Sequence, residues 1–182
     1  GPVDSVSAIV RNLAPERINT FPDSPTYGKP ISYPNESQVF SILKLENGIA
    51  GTLSINGDST IQDQAHFMIY GKKGILKLTD PNTFGGNVIY LPAQKDFEDH
   101  PTPQILNYGF SYGENSRGLG PSEMADAIFE KRENRANAEL AVHVLDVIDH
   151  MVESSEKGAF VQVTSTCKRP EPMPSYVRRN LF

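Results

Sequence analysis

His143, Asp146 and His150 are the residues whose types and spacing first suggest chemistry. They stand at i, i+3 and i+7, so a helix carries them on one side. An imidazole pair with a carboxylate can bind a metal or move a proton. A metal needs a further ligand from another element, and no residue is available to supply it. The pattern therefore reads as a solvated or interface-facing polar face, with Asp146 supporting His150. A second cluster, Asp96, Glu98, Asp99 and His100, lies in a polar stretch with Pro101 and Pro103. Consecutive loop residues cannot all point inward, so no metal is expected there either.

Gly118-Leu119-Gly120-Pro121 precedes a helical pattern and could offer backbone N–H groups to an anion. Pro121 removes one donor, and no strand leads into the turn as a dinucleotide fold requires. Arg117 beside it is the better group for a ligand carboxylate or hydroxyl. With Tyr112, and with Tyr27 and Tyr33 from an earlier loop, it makes up the set of substrate-pocket candidates. Motifs of other chemistries are absent: the chain has no GxGxxG after a strand, no GxxxxGK[ST], no HExxH, no GxSxG and no CxxC.

The elements that must position these residues follow from pattern. Val3–Val10 alternates and reads as a strand with Val6, Ala8 and Val10 buried. Residues 12–37 hold five prolines and read as a long irregular loop, on which Phe21, Tyr27 and Tyr33 line a ligand or pin the loop to a sheet. A meander of strands is predicted at Gln38–Leu45, Ile49–Ile55, Ala65–Tyr70, Ile75–Leu78 and Val88–Leu91. Asn47-Gly48 and Gly71-Lys72-Lys73-Gly74 supply tight turns between them. Residues 95–112 read as polar and turn-rich.

The helical signal runs from 116 to 158. A first helix is expected with Ser122 as N-cap, Glu123 and Asp126 in its first turn, and a stripe of Met124, Ala125, Ile128 and Phe129. A second spans Ala136–Lys157, with a core stripe of Leu140, Ala141, Val144, Leu145, Ile148, Met151 and Val152, widened by Val142 and Val147. Gly158 ends it, and Phe160–Val163 returns as a strand. The fold class is α+β, an open and mainly antiparallel sheet with helices on one face. The other face gathers Phe40, Ile42, Thr52, Ser54, His66, Met68 and Tyr70. It is too apolar for plain solvent and too polar for a core. Contact with another subunit is the favoured reading of that face, and partial cover by the chain's own loops is the alternative.

Bulk chemistry narrows the classes. The chain has 182 residues, a formal net charge of −5 and one cysteine, Cys167. It is long enough for a core, lacks the basic patch that nucleic acid requires and contains no run approaching a membrane span. One cysteine excludes an intrachain disulfide. The default location is cytoplasmic. A chain that opens almost directly on a strand reads as a domain taken from a longer protein.

Four segments carry a resemblance: GPVDSVSA; FSILKLENGIAGTLSI with FMIYGKKGILKL; MADAIFEKRENRANAELAVHVLDVIDHMVESS; and GAFVQVTSTCKRPEPMP. In order and spacing they resemble the C-terminal domain of the glucose–fructose oxidoreductase / inositol dehydrogenase (Gfo/Idh/MocA) family. The resemblance implies a domain over 1–168 and an extended tail over 169–182. It implies a parent enzyme that uses NAD or NADP on a sugar, polyol or related small molecule. The family's dinucleotide-binding domain, its Glu-Lys-Pro lysine and its Asp…His pair have no counterpart here. No catalytic, cofactor-binding or metal residue is therefore assigned, and this chain alone is expected to be inactive. The expected partners are the parent's own N-terminal domain, a further copy through the open sheet face, and the substrate. The competing reading is a stand-alone, non-catalytic binding or scaffold module.

Overall fold

The structure is a computed structural model and describes residues 1–59, 65–106 and 116–173. In chain order the elements are β1 (Val3–Arg11), β2 (Glu16–Ile18), β3 (Pro30–Ser32), β4 (Gln38–Leu45), β5 (Ala50–Asn56), β6 (Phe67–Gly71), β7 (Gly74–Leu78), β8 (Val88–Pro92), β9 (Gln104–Leu106), α1 (Leu119–Glu130), α2 (Ala138–Lys157) and β10 (Val161–Gln162). They fall into two compact units. One is Gly1–Thr60 with Ala136–Pro170, the other Ile61–Arg135 with Glu171–Phe182. The architecture is α+β, open and antiparallel, as the sequence implies.

In the first unit the strand order is β10-β1-β4-β5, all antiparallel. Val6 stands opposite Leu43, Ala8 opposite Ser41 and Val10 opposite Val39. Alternation puts this set on one face, and α2 lies on it. Val6, Ala8, Val147 and Met151 form the buried core, with Val10, Val39, Leu43, Leu53 and Val163 around it.

Local rules define α2. The Asn137 side chain accepts the Leu140 N–H at 2.9 Å, Glu139 sits in the first turn and Lys157 in the last. Gly158 closes the helix at φ 62°, a left-handed conformation that glycine adopts without strain.

The helix also completes the outer edge of β1. β10 is short and stands opposite only Ser5 and Val6. On either side of it, side chains of α2 accept the N–H groups of β1. His143 Nε2 takes that of Val3 at 3.0 Å, Ser154 Oγ that of Ala8 at 3.0 Å, and Ser155 Oγ that of Val10 at 2.9 Å. The helix thus does for the edge what a neighbouring strand would do.

This edge explains a correction. The expected stripe put Val144, Leu145 and Ile148 in the core, yet each is about half exposed or more. The buried face is His143, Val147, Met151 and Ser154. Apolar residues cover more than half of the α2 circumference, so periodicity alone does not select a face. The sheet packs on the side that can also satisfy the N–H groups of β1.

The stretch read as one irregular loop contains the β2–β3 ribbon, paired from Glu16–Ser32 to Ile18–Pro30. Pro30 is tolerated because a two-stranded ribbon is all edge.

The second unit holds a sheet of order β6-β7-β8-β9. The Gly71–Gly74 turn joins β6 to β7 as expected, with Tyr70 opposite Ile75. β6 does not pair with β5, so the meander continues as two sheets. β9 was not foreseen in the turn-rich stretch. α1 begins at Leu119, and Ser122 is an interior residue whose N–H bonds the Gly118 carbonyl. Pro121 fits there because a first-turn residue needs no intrahelical N–H partner.

Candidate functional site

The open face of the first unit is the clearest surface among the candidates. Cross-strand pairing sets Phe40 against Ser54 and Ile42 against Thr52, and brings Ile9 beside Phe40 and Ser7 beside Ile42. The four interface candidates from β4 and β5 therefore share one face. Phe40 and Ile42 are 44% and 49% exposed. They border a shallow hollow of about 350 Å³. The other three candidates, His66, Met68 and Tyr70, belong to the second unit, before and within β6. Tyr70 borders a separate hollow of about 600 Å³ with Ile75, Leu91, Gln94 and His100.

The substrate-pocket candidates are distributed over both units. Tyr33 stacks under Arg17, whose Cζ is 4.1 Å from the ring centroid. Arg17 is further committed to Asp58 at 2.5 Å and to the carbonyls of Ala14 and Gly57. Ser37 donates to the other Asp58 oxygen at 2.8 Å. This network ties the β2–β3 ribbon to the ends of β4 and β5. Tyr27, at the ribbon's tip, is exposed. In the second unit, Arg117 lies over the Phe84 ring at 5.7 Å. Tyr112 is outside the described residues.

Electrostatic organisation in the second unit centres on Glu123. Its residue is 6% exposed, and it reaches from α1 to the chain just beyond that helix. Arg132 donates to both carboxylate oxygens at 2.5 and 2.9 Å, and Arg135 does so at 2.8 and 2.9 Å. Hydrogen bonds from Arg132 hold the carboxyl down at about 2. Burial opposes that effect, and Arg135 adds to it. Arg135 also donates to the carbonyls of Glu171 and Pro172. Expected as a first-turn residue facing the helix dipole, Glu123 is instead the fifth residue of α1 and the anchor of its buried side. The expected apolar stripe of α1 is turned outward, with Ile128 74% and Phe129 76% exposed.

The His143–Asp146–His150 group is not a solvated face. His143 is 4% exposed and is held by Val3 on Nε2 and by Ser165 Oγ at 2.9 Å on Nδ1. Asp146 accepts the Ser165 N–H at 2.8 Å and the Thr164 hydroxyl at 3.2 Å. Its carboxyl lies at about 2, lowered chiefly by Ser165, then by Thr164 and His150. His150 Nδ1 lies 3.2 Å from an Asp146 oxygen, the support expected from the spacing. The signal lies in position: these residues follow the N-cap of α2 by one turn and more, where they reach both the start of β1 and the segment after β10.

Asp96 and Asp99 bond to N–H groups of their own turn, those of Glu98, Asp99 and Lys95. Among the described residues no three His, Cys, Asp or Glu side chains converge as a metal site would require, and no helix is long and apolar enough to cross a membrane.

Comparison with known proteins places these features in a family. A model described as "Oxidoreductase family, C-terminal alpha/beta domain" matches residues 1–163. Levoglucosan dehydrogenase, solved in complex with NADH and L-sorbose, is similar with a TM-score of 0.70 and 18% identity over 91% of this chain and 46% of that one. An NAD-binding oxidoreductase from Klebsiella pneumoniae gives a TM-score of 0.67 and 16% identity, covering 91% and 46%. Aldose-aldose oxidoreductase from Caulobacter crescentus, complexed with glycerol, gives 0.61 and 15%, covering 88% and 41%. At these identities the likeness is one of fold, and the chain spans under half the length of each. No curated protein matches the sequence.

Proposed function

The chain belongs to the Gfo/Idh/MocA oxidoreductase family as its C-terminal alpha/beta domain, and from that premise we propose that it is the substrate and oligomerisation domain of a nicotinamide-dependent oxidoreductase acting on a sugar, polyol or related small molecule. The observation that carries the reading is the family match over residues 1–163. Relatives of the same fold are described with NADH and L-sorbose, or with glycerol, which supports the substrate class. The dinucleotide would be held by a domain preceding Val3, NAD or NADP being supplied there and not by this chain. Residues 1–168 would be one functional domain and 169–182 an extended tail. Arg117, Tyr112, Tyr27 and Tyr33 are the residues offered for the substrate side.

The open face carrying Phe40, Ile42, Thr52 and Ser54 is read as a contact between copies, with His66, Met68 and Tyr70 as further candidates. An exposed sheet face with this much apolar surface supports that reading.

The test has three arms. The gene upstream of Val3 should encode a Gly-rich strand–turn–helix followed by a helix bearing Asp and His. Calorimetry of this chain alone should detect no NAD(H) binding, and a micromolar affinity would defeat the assignment. Light scattering should give a dimer or larger species that Thr52→Glu or Ser54→Glu weakens. A monomer at every concentration would remove the interface.

A further inference from the structure

His143 occupies a position where its protonation state decides a backbone contact. Its Nε2 accepts the Val3 N–H at 3.0 Å, so that nitrogen carries no proton. The ring proton then belongs on Nδ1, where Ser165 Oγ accepts it at 2.9 Å. Ser165 is itself fixed by the carboxylate of Asp146, through its N–H at 2.8 Å. A continuous polar chain thus runs from the first residue of β1, through α2, to the segment that follows β10.

Val3 lies beyond an irregularity in the register between β1 and β4, which falls between Val3 and Ser5. The end of the strand lies past the regular ladder, where the Val3–Leu45 pairing and the Glu46 N–H on the Pro2 carbonyl at 3.1 Å hold it together with His143.

We propose that neutral His143 is a proton-sensitive latch that holds the first residues of β1 on the domain and releases them when the ring is protonated. A second ring proton would point Nε2–H at the Val3 N–H, two donors face to face. The bond is lost, and the ring must turn away from the strand or the strand end must leave.

The charged groups around the ring do not offset this. On β1, Asp4 lies 3.2 Å from Lys44 of β4, and Arg11 is at the strand's far end; just past β4, Glu46 accepts the Thr166 hydroxyl at 2.9 Å and its N–H bonds the Pro2 carbonyl. β10 contains no ionisable residue. On α2, Asp146 is engaged by Ser165, Thr164 and His150, and Glu139 sits in the first turn. Past β10, Lys168 lies three residues after Ser165. Among the described residues no carboxylate is bonded to the His143 ring, so a proton gained there meets no counter-charge at contact.

In the proposed parent enzyme the preceding domain would join at this end of β1, and the latch would govern how firmly that connection is held. That consequence rests on the functional reading above, whereas the latch is tested in this chain alone.

The experiment follows the Val3 and Ser165 amides and the His143 ring nitrogens by ¹⁵N NMR from about pH 8 to about pH 5, the range in which histidine titrates. At the upper end the ring should be the neutral Nδ1–H tautomer. As it gains a proton, the Val3 amide should lose about tenfold or more of its exchange protection, corrected for the intrinsic pH effect. His143→Gln presents an amide oxygen that can accept but cannot titrate, and should hold Val3 protected throughout. An Nε2–H tautomer at high pH would overturn the proposal, as would a ring that stays neutral down to about pH 5, a Val3 amide unmoved while the ring titrates, or an equal acid response in His143→Gln. If the glutamine variant does not fold, the tautomer and the Val3 response in the unaltered chain still decide.

Discussion

Replacing Glu123 by glutamine tests the electrostatic account of the second unit most directly. The carboxyl sits at about 2 in place of its ordinary 4.5, a difference equivalent to about 3 kcal/mol in favour of the charged form. Glutamine keeps the shape but removes the charge and sets an NH₂ group against a guanidinium. Part of the cost is recovered because the cations have other acceptors. Arg132 also binds Glu130 at 2.7 Å, and Arg135 binds the Glu171 and Pro172 carbonyls. A loss of about 2–3 kcal/mol is expected at neutral pH, less than for a fully enclosed pair. The sign with pH follows from a depressed carboxyl. Its stabilisation is complete above the ordinary carboxylate range and disappears as pH falls from about 4.5 towards about 2. Urea unfolding of both proteins, from neutral pH down to about pH 2.5, should show the gap between them narrowing with acid. Hydrogen exchange should place the loss in α1. A variant within about 0.5 kcal/mol of the parent at neutral pH, or a gap that does not change with acid, would refute the reasoning.

Two further substitutions, and a third as control, test other parts of the fold. Ser154 is fully buried and bridges the Ala8 N–H and the Ala159 carbonyl, so Ser154→Ala should cost about 1–3 kcal/mol in chemical denaturation, with Ala8 losing exchange protection first. At Gly74 a Cβ would overlap the Leu91 carbonyl oxygen, with φ at +145°, so Gly74→Ala should disrupt the β7–β8 pairing. Far-ultraviolet circular dichroism and the Tm should both fall, whereas Gly118→Ala, which meets open space, should leave both unchanged.

What the sequence made legible follows from what encodes it locally. Alternation and tight turns located β1, β4, β7 and β8 to within a residue or so, because their faces differ in polarity and their ends carry turn residues. Asn137 was missed as a cap by a small margin, and Gly158 was identified. The β2–β3 ribbon was hidden because three-residue strands have too few positions to alternate and Pro30 argues against a strand. The orientation of both helices was the larger miss. Hydrophobic pattern treats a buried serine, histidine or glutamate as surface, yet Ser154 and His143 are buried because each satisfies a partner far away in sequence, and Glu123 because it gathers two arginines from the segment after its own helix. Val3 lies 140 residues from His143, a distance over which composition carries no signal. Residue type alone marks the substrate candidates in the sequence and carries no sign of contacts such as the Arg17 guanidinium over the Tyr33 ring.

The exposed apolar residues bear on which functional reading the chain supports. A stand-alone binding module must keep its surface soluble and would be expected to confine large apolar side chains to one recognition patch. Within the first unit, Phe40 and Ile42 lie outward on the face opposite the core, while Leu145 and Ile148 lie outward on α2. These are two separate surfaces on opposite sides of one sheet. A single ligand cannot cover both, but a domain enclosed by a neighbouring domain on one side and by another copy on the other would use both. The distinction is measurable: in a full-length protein the amides of α2 and of β4–β5 should both gain protection relative to this chain, and dilution to monomer should remove only the protection of β4–β5. Loss of both on dilution, or gain of neither, would favour the stand-alone module.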